Sequence, residues 1–288
     1  MVCRVCDRLV QVVGTRYGEH AQRSFTLGRC PGCGFACVTD PWLDYEAIYN
    51  DDYYEGRGAD PHVAYLTALS EPATATQRYE WRGVLGRVRT LTRLEPTTAW
   101  LDYGCGTGGL VQFLRAQGFS RVVGFEQGWS EERLREHAVP YLRSEELNGR
   151  REWFEVVTAI EVLEHSVDPI GELRRIRALM KPGGVLFATT GNARPFRRNL
   201  SKWRYVIPEV HISFFEPETL ARALGAAGFE PRWPGFGAGW TDLYRAKTLR
   251  SLRVHRTNAA ERLLPWPVMA RVLEAKLRLA EHPIGVAA

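Results

Sequence analysis

Short apolar runs alternate with segments of helical period through the middle of the chain. The runs Val122–Phe125 and Phe154–Ile160 are mostly apolar, which is typical of strands that are buried on both faces. Residues 110–114 and 169–180 instead space their apolar side chains three and four positions apart, on one helical face. This alternation predicts an α/β fold with a parallel sheet. A further strand is expected at residues 229–233.

The segments on either side of this region differ from it in composition and pattern. The expected parts are, in chain order, a small ribbon (1–40), a helical linker or lid (41–96), the core (97–239) and C-terminal helices (240–288). The linker is rich in tyrosine, and its aromatic residues either pack against the core or cover a ligand. Tyr53 and Tyr54 are the candidates for a lid. Within the core, another helix is expected at 130–137.

Composition and charge limit the class of protein. Of the 288 residues, 45% are hydrophobic and 25% are charged, as in ordinary globular proteins. No apolar run is long enough to cross a membrane, and residues 1–7 lack the apolar core of a signal peptide, so we expect a cytoplasmic protein. The net charge of +5 permits an anionic partner without requiring one. Basic residues cluster at 194–204, where they either stay solvated or bind an anion.

Four of the six cysteines form two pairs with the spacing of a metal site. Cys3 and Cys6 form the first pair, and Cys30 and Cys33 form the second. Two thiolates on a tight turn hold one edge of a metal ion, and two such turns close a tetrahedral site. In a cytoplasmic chain the pattern predicts zinc, with disulfides or a redox pair as the alternative. A site with four thiolates has no open position, so we expect a structural role.

A glycine-rich turn follows the apolar residue Leu101. Glycines at 104, 106 and 108 give the spacing G-x-G-x-G before a helical segment, whose first N–H groups would face a ligand. Dinucleotide-binding turns have G-x-G-x-x-G, and the G-K-[ST] of a phosphate-binding loop does not follow. Glu126 ends the next strand, where a carboxylate can accept both hydroxyls of a ribose. The pattern therefore favours a nucleoside site over a turn that only caps a helix.

The run L-D-Y-G-C-G-T-G at 101–108 resembles motif I of the Rossmann-like S-adenosylmethionine (SAM) methyltransferases. The segments E-V-L-E-H at 161–165, M-K-P-G-G at 180–184 and T-T-G-N at 189–192 resemble the ubiquinone-pathway O-methyltransferases, so the similarity spans residues 97–234. The resemblance implies a Rossmann-like sheet of seven strands that binds SAM. The expected SAM-binding residues are Asp102, Gly104, Cys105, Gly106, Gly108, Glu126, Gln127, Glu145, Ile160 and Glu161. Of these, Glu145 could equally lie in a solvated loop.

Two carboxylates and two histidines supply the candidate chemistry. Glu161, Glu164 and His165 follow the strand Phe154–Ile160, at the end where open α/β sheets bind ligands, and His211 comes later. The pattern also resembles the small-RNA 2′-O-methyltransferases, which implies that these four residues hold a divalent metal that activates a hydroxyl. Without a metal, Glu161 would line the methionine end of SAM. His165 and His211, with Glu164, are the candidate catalytic residues, because imidazole titrates near neutral pH. Buried structural histidines are the competing interpretation.

These features predict a SAM-dependent methyltransferase that acts on a small hydroxylated metabolite or sugar. O-methylation is favoured, and C-methylation is the alternative because zinc ribbons also precede the methyltransferase domain of sugar C-methyltransferases. The second hypothesis is an RNA methyltransferase whose ribbon and residues 194–204 contact phosphates. The third is a SAM-binding sensor or docking protein without catalysis. The C-terminal helices either pack on the core or form a homodimer.

Overall fold

A parallel sheet lies at the centre of the computed structural model, which describes residues 1–60, 65–127, 134–233, 235–279 and 286–287. The strands, in chain order, are β1 (Gln11–Gly18), β2 (Arg23–Arg29), β3 (Ala36–Val38), β4 (Trp100–Tyr103), β5 (Val122–Phe125), β6 (Tyr141–Leu142), β7 (Phe154–Ile160), β8 (Met180–Thr189), β9 (Ser213–Phe214) and β10 (Val286–Ala287). The α-helices with described bounds are Tyr45–Ile48, Asp51–Tyr54, Tyr65–Ser70, Gln77–Val88, Gly109–Ala116, Ser144–Asn148, Pro169–Leu179, Pro217–Ala226, Trp240–Ser251, Ala259–Leu263 and Trp266–Leu279. The helix expected at 130–137 falls largely outside the described residues.

The strand order of the central sheet places a crevice next to β4. The order is β10-β8-β7-β4-β5-β6, with β4 to β8 parallel and β10 antiparallel to β8. The chain adds β5 and β6 on one side of β4 and then crosses to add β7 and β8 on the other side. The boundary between β4 and β7 is therefore the topological switch point. Open α/β sheets bind their ligands beside such a boundary, at the carboxyl ends of the strands.

Residues on both faces of the central sheet are buried, which explains why its strands are mostly apolar. Successive residues of a strand point to opposite faces. In β4, Trp100 packs in the same core cluster as Leu114, whereas Leu101 packs in the cluster that contains Ile176. Val156 and Val157 of β7 divide between the two clusters in the same way. Helices therefore cover the sheet on both sides, as the alternating sequence pattern predicts.

The N-terminal strands form a second sheet together with a strand from the other end of the core. The order of this sheet is β1-β2-β3-β9, and all neighbouring strands are antiparallel. Cys37 of β3 pairs with Ser213 of β9. The carboxylate of Glu209 also accepts the backbone N–H of His20 at 3.1 Å. The N-terminal strands and β9 therefore belong to one sheet, and residues 209–214 are hydrogen-bonded to the N-terminal part of the chain.

The helix Trp240–Ser251 packs closely along the helix Gln77–Val88. Glycine permits this approach, because a Cβ added at Gly83 would lie 2.6 Å from the side chain of Leu243. Tyr79 belongs to an apolar cluster that joins the two helices to Trp266, which follows them in the chain. The contact fixes the helix Trp240–Ser251 beside the segment that leads into β4.

The central sheet differs from the seven-stranded expectation. Within the described residues it has five parallel strands and the short antiparallel strand β10, so the expected count of seven was wrong. Residues 229–233 do not form the expected strand. Pro231 lacks the N–H that a strand ladder uses, and β10 occupies the edge of β8. No helix in the described part of the chain is long and apolar enough to span a bilayer.

Candidate functional site

A cavity of about 1000 Å³ opens at the carboxyl ends of β4, β5 and β7. Gly104, Glu126 and Glu161 line it on the side of the sheet. Tyrosines cover much of the rest of its wall. The described tyrosines that line the cavity are Tyr45, Tyr49, Tyr53, Tyr54, Tyr65 and Tyr103. The lid candidates Tyr53 and Tyr54 therefore belong to this wall.

A smaller cavity of about 70 Å³ adjoins the first on the other side of the glycine turn. The residues that line both cavities are Tyr65, Gly104, Gly106, Ile160 and Glu161. Asp102, Cys105 and Thr107 line only the smaller one. The carboxyl end of β4 thus lies between the large cavity and the smaller one.

The glycine turn has a backbone that other residues adopt only with strain. Gly104, Gly106 and Gly108 have φ angles of +77°, +54° and +80°. At Gly108, which precedes the helix Gly109–Ala116, a Cβ would also lie 2.4 Å from the side chain of Val139. These positions explain the glycine spacing seen in the sequence.

Glu126 lies at the end of β5 and is bonded to the glycine turn. Its carboxylate accepts the backbone N–H of Gly106 at 2.7 Å and the N–H of Gln127 at 3.0 Å. Burial raises the pKa of Glu126, and these two hydrogen bonds oppose that effect. Gln127 and Glu126 both line the large cavity. The arrangement places an acceptor for hydroxyl groups beside the glycines that line the large cavity.

Asp102 and Cys105 lie beneath the turn, in the interior. The hydroxyl of Thr158 donates to the carboxylate of Asp102 at 2.8 Å. Burial raises the pKa of Asp102 to about 7. The thiol of Cys105 packs against Gly124, where an added Cβ would lie 2.6 Å from its sulfur. Burial likewise raises the pKa of this thiol.

Glu161 lies just after β7 in a left-handed conformation, with φ of +56°. Its carboxylate accepts the hydroxyl of Thr189 at 2.8 Å, and the hydroxyl oxygen of Tyr205 lies 3.1 Å from it. The ammonium of Lys247 lies 2.9 Å from the same carboxylate. Burial alone would raise the pKa of Glu161, but the positive charges of Lys247 and Arg250 outweigh it and lower that pKa to about 2. Glu161 is therefore held as an anion.

Glu164 has the opposite electrostatic environment. Its side chain is fully buried and accepts the hydroxyl of Tyr205. Burial, and then the charge of Glu161, raise the pKa of Glu164. Its second oxygen, Oε2, is buried without a hydrogen-bond partner. Glu164 does not line either described cavity, so it lies behind the site rather than at its surface.

Of the three candidate catalytic residues, only His165 lines the large cavity. Its Nδ1 lies 2.9 Å from the carbonyl oxygen of Val210 and 3.0 Å from the hydroxyl of Tyr49. A carbonyl can only accept, so the contact with Val210 favours a proton on Nδ1 and a lone pair on Nε2. Burial and the neighbouring His211 lower the pKa of His165, which favours the neutral imidazole.

His211 is buried behind His165. The two ring centroids are 5.0 Å apart, and His211 stacks on Tyr205 at 4.3 Å. Its Nδ1 lies 2.6 Å from the carbonyl oxygen of Tyr205. As in His165, this contact favours a lone pair on Nε2.

Three of the four residues considered for a divalent metal come together. Donor atoms of Glu164, His165 and His211 lie within 4.8 Å of one another. Metal-ligating histidines usually donate their other ring N–H to a carbonyl or carboxylate, and both imidazoles here have that geometry. The donor set therefore fits a divalent ion with mixed nitrogen and oxygen ligands. Glu161 is not part of this group, because its carboxylate is directed toward Lys247 and Thr189.

The four paired cysteines also come together. Donor sulfurs of Cys3, Cys6, Cys30 and Cys33 lie within 4.8 Å of one another, with 3.6 Å between Cys3 and Cys33 and 3.4 Å between Cys6 and Cys30. All four thiols are free of disulfides. A tetrahedral zinc ion with bonds of about 2.3 Å separates its sulfurs by about 3.8 Å, so the cluster fits such an ion. It does not line the large cavity.

The other expected site residues divide between the cavity and the surface. Ile160 lines both cavities, whereas Glu145 is exposed on the helix Ser144–Asn148 and lines neither. Sequence reasoning did not identify Tyr205, Lys247 or Arg250. No local pattern marks them, because tertiary packing alone brings them to Glu161.

Comparison with known proteins identifies a family for the central region. The family model described as "Methyltransferase domain" matches residues 75–232. The chain is 34% identical over 149 residues to the ubiquinone biosynthesis O-methyltransferase of Methylocella silvestris, covering 44% of this chain and 56% of that protein. It is 37% identical over 108 residues to the enzyme of that name from Pseudomonas aeruginosa, covering 33% and 45%. The chain thus spans about half the length of the curated relatives it matches.

A solved structure with a related arrangement is a SAM-dependent methyltransferase from Mesorhizobium loti. The alignment covers 73% of this chain and 97% of that chain, with a TM-score of 0.47 and 15% sequence identity.

The buried carboxyl of Asp102 predicts a pH dependence of stability. Its pKa of about 7 in the fold, against about 4 in an unfolded chain, means that the folded protein binds more protons between those values. The ionisation of Asp102 therefore lowers the free energy of unfolding as pH rises from about 4 to about 7. Asparagine does not titrate, so it has no such effect. Across that window, we expect the free energy of unfolding of Asp102→Asn to rise relative to wild type by up to about 1.4 kcal/mol per pH unit. Urea unfolding of both proteins at several pH values measures this difference, and a constant difference would contradict it.

Proposed function

Because the chain belongs to the methyltransferase-domain family, and with it to the Rossmann-like SAM methyltransferases, we propose that it methylates a hydroxyl of an uncharged small molecule. The observation that carries the proposal is the large cavity, which combines a nucleoside-binding turn, acidic groups and a wall of tyrosines. The names of the relatives, ubiquinone biosynthesis O-methyltransferase, support a small hydroxylated acceptor.

SAM binding would use the carboxyl ends of β4 and β5. Glu126 would accept the ribose hydroxyls, with Gln127 beside it, and the bare backbone at Gly104 and Gly106 would allow the ligand to approach closely. The cofactor supplies a methyl group on a positively charged sulfonium. An anionic cavity favours such a ligand. Catalysis would come mainly from holding the acceptor hydroxyl in line with that methyl group.

The charge of the cavity favours an uncharged acceptor over RNA. The acidic residues that line it are Glu46, Glu126, Glu161, Asp168 and Glu172. Among its described lining residues there is no lysine or arginine. A phosphate would therefore meet like charges, which costs several kcal/mol. The tyrosine wall can pack against a planar ring or a sugar without any charge.

Two of the five basic residues in the segment 194–204 form ion pairs within the chain, which reduces the positive charge that the segment offers to RNA. Arg194 is paired with Glu218, and Arg197 is paired with Glu216. Each pair has one exposed partner, so the two guanidinium charges are partly neutralised at the surface. Phe196 also stacks on Trp203, with ring centroids 5.2 Å apart, so the aromatic residues of this segment pack against each other.

His165 is the proposed general base. With Nδ1 held by the carbonyl of Val210, its Nε2 would take the proton from the acceptor hydroxyl as the methyl group transfers. The lowered pKa keeps the imidazole neutral and able to accept that proton. Glu164 and His211 would orient His165 from behind.

A divalent metal on Glu164, His165 and His211 is the second candidate for activating the hydroxyl. The unpartnered Oε2 of Glu164 and the matched orientation of both imidazoles favour it. Such an ion would lower the pKa of a bound hydroxyl, so that no protein base is needed at that atom.

We also propose that the four-cysteine cluster holds a structural zinc ion. The separation of its sulfurs supports this, as does its position under the helix Pro217–Ala226, where the hydroxyl of Thr219 donates to the carbonyl of Cys33 at 2.6 Å. Zinc would then fix the N-terminal ribbon against the core.

The acceptor's charge tests the proposed function. We expect a dihydroxybenzene to release S-adenosylhomocysteine from SAM at least about 10-fold faster than its phosphate ester or a short single-stranded RNA, because of the like charges in the cavity. Production is measured by mass spectrometry under single-turnover conditions. Preferential methylation of RNA with a steep salt dependence would contradict the proposal and support the RNA hypothesis. SAM binding without product from any acceptor would support the sensor.

Histidine variants in the same assay distinguish the two ways of activating the hydroxyl. With His165 as the base, His165→Gln should lose a factor of about 10² to 10⁴ and His211→Gln much less, because only His165 lines the cavity. If a metal activates the hydroxyl instead, both variants should lose activity to a similar extent, because both histidines would be ligands.

Two buried cysteines of the ribbon provide a matched test for zinc. We expect about one zinc ion per chain in the wild type, loss of that ion in Cys30→Ser and retention of it in Cys37→Ser, because only Cys30 belongs to the four-thiolate group. Elemental analysis of the purified proteins measures the content. Both thiols are fully buried, so the comparison controls for the change of buried sulfur to oxygen. Equal zinc content in the two variants would contradict the assignment.

A further inference from the structure

The smaller cavity ends at charged groups from two packed helices. Glu80 of the helix Gln77–Val88 and Arg250 of the helix Trp240–Ser251 both line it. Nη2 of Arg250 donates to the carboxylate of Glu80. The ammonium of Lys247 lies 3.1 Å from that carboxylate and 2.9 Å from the carboxylate of Glu161.

The cations of this group come from a part of the chain outside the family match. The methyltransferase-domain model matches residues 75–232, whereas Lys247 and Arg250 follow it. Glu80 and Glu161 lie within the match, and both are largely buried. The helix Trp240–Ser251 therefore adds positive charge to a cavity whose other charged lining groups are carboxylates.

We propose that Arg250 binds the α-carboxylate at the amino-acid end of SAM. The inference rests on the proposed function, because it requires that SAM bind at the glycine turn. If Glu126 holds the ribose in the large cavity, the opposite end of the ligand passes Gly104 and Gly106, which line both cavities. The smaller cavity is the place where that end arrives.

The chemistry of the smaller cavity matches a zwitterion. A guanidinium has five N–H donors in a planar fork that suits a carboxylate, and the bond to Glu80 engages Nη2. The first residues of the helix Gly109–Ala116 also line this cavity, and the positive end of a helix favours an anion. The carboxylate of Glu161 lines both cavities and adds negative charge that favours the α-ammonium group.

Decarboxylated SAM provides a direct probe, since it keeps the nucleoside, sulfonium and amine but lacks the carboxylate. In the wild type we expect SAM to bind about 10- to 100-fold more tightly than decarboxylated SAM, the usual effect of a hydrogen bond to a charged group. In Arg250→Met the two ligands should bind with nearly equal affinity. Isothermal titration calorimetry measures both dissociation constants.

Arg245→Met is the matched control. Arg245 is on the same helix, but its ion pair is with Glu261, and it does not line either described cavity. This variant should keep the wild-type preference for SAM. The ratio of the two affinities isolates the carboxylate, so general loosening of the helix would weaken both ligands without changing it.

Two outcomes have different meanings. If Arg250→Met keeps the wild-type ratio, Arg250 is only a partner of Glu80, and the inference is overturned while the proposed function stands. If the wild type binds neither ligand, the proposed function itself fails.

Discussion

The hydrogen bond from the backbone of Gly106 to the carboxylate of Glu126 is the interaction on which the site depends. It joins the carboxyl ends of β4 and β5 at 2.7 Å, beside the boundary where the strand order reverses. Gly106 has a φ of +54°, a conformation that favours glycine, and a Cβ there would lie 3.5 Å from the ring of Tyr65. Together with the N–H groups of Gly104 and Cys105, which donate to the carbonyl of Phe125, this contact fixes the turn and the acid next to it.

The two cavities differ in the charges of the residues that line them. Carboxylates and tyrosines line the large cavity, whereas Arg250 of the helix Trp240–Ser251 lines the small one. Glu161 stands between them as an anion because Lys247 and Arg250 lower its pKa. Glu164, three residues later, has its pKa raised by burial. Two neighbouring glutamates therefore have different protonation behaviour because different groups surround them.

Local sequence patterns predicted most of the core. The strand Phe154–Ile160 has the bounds expected from its apolar run, and the glycines of the turn have the positive φ angles that their spacing implies. Residues 229–233 were predicted wrongly as a strand, because apolar content outweighed the missing N–H of Pro231. The pairing of β3 with β9 and the approach of Lys247 to Glu161 could not be predicted from one sequence. Each contact joins segments separated by more than 80 residues, and local periodicity carries no information about them.

SAM binding to Glu126→Gln, measured by isothermal titration calorimetry, tests the central claim most directly. The amide removes the charge that would hold the ribose hydroxyls, and we expect affinity to fall by about 10-fold or more relative to wild type, while the exposed control Glu230→Gln keeps it. Equal affinity in Glu126→Gln and wild type, or no binding of SAM by the wild type, would contradict the account.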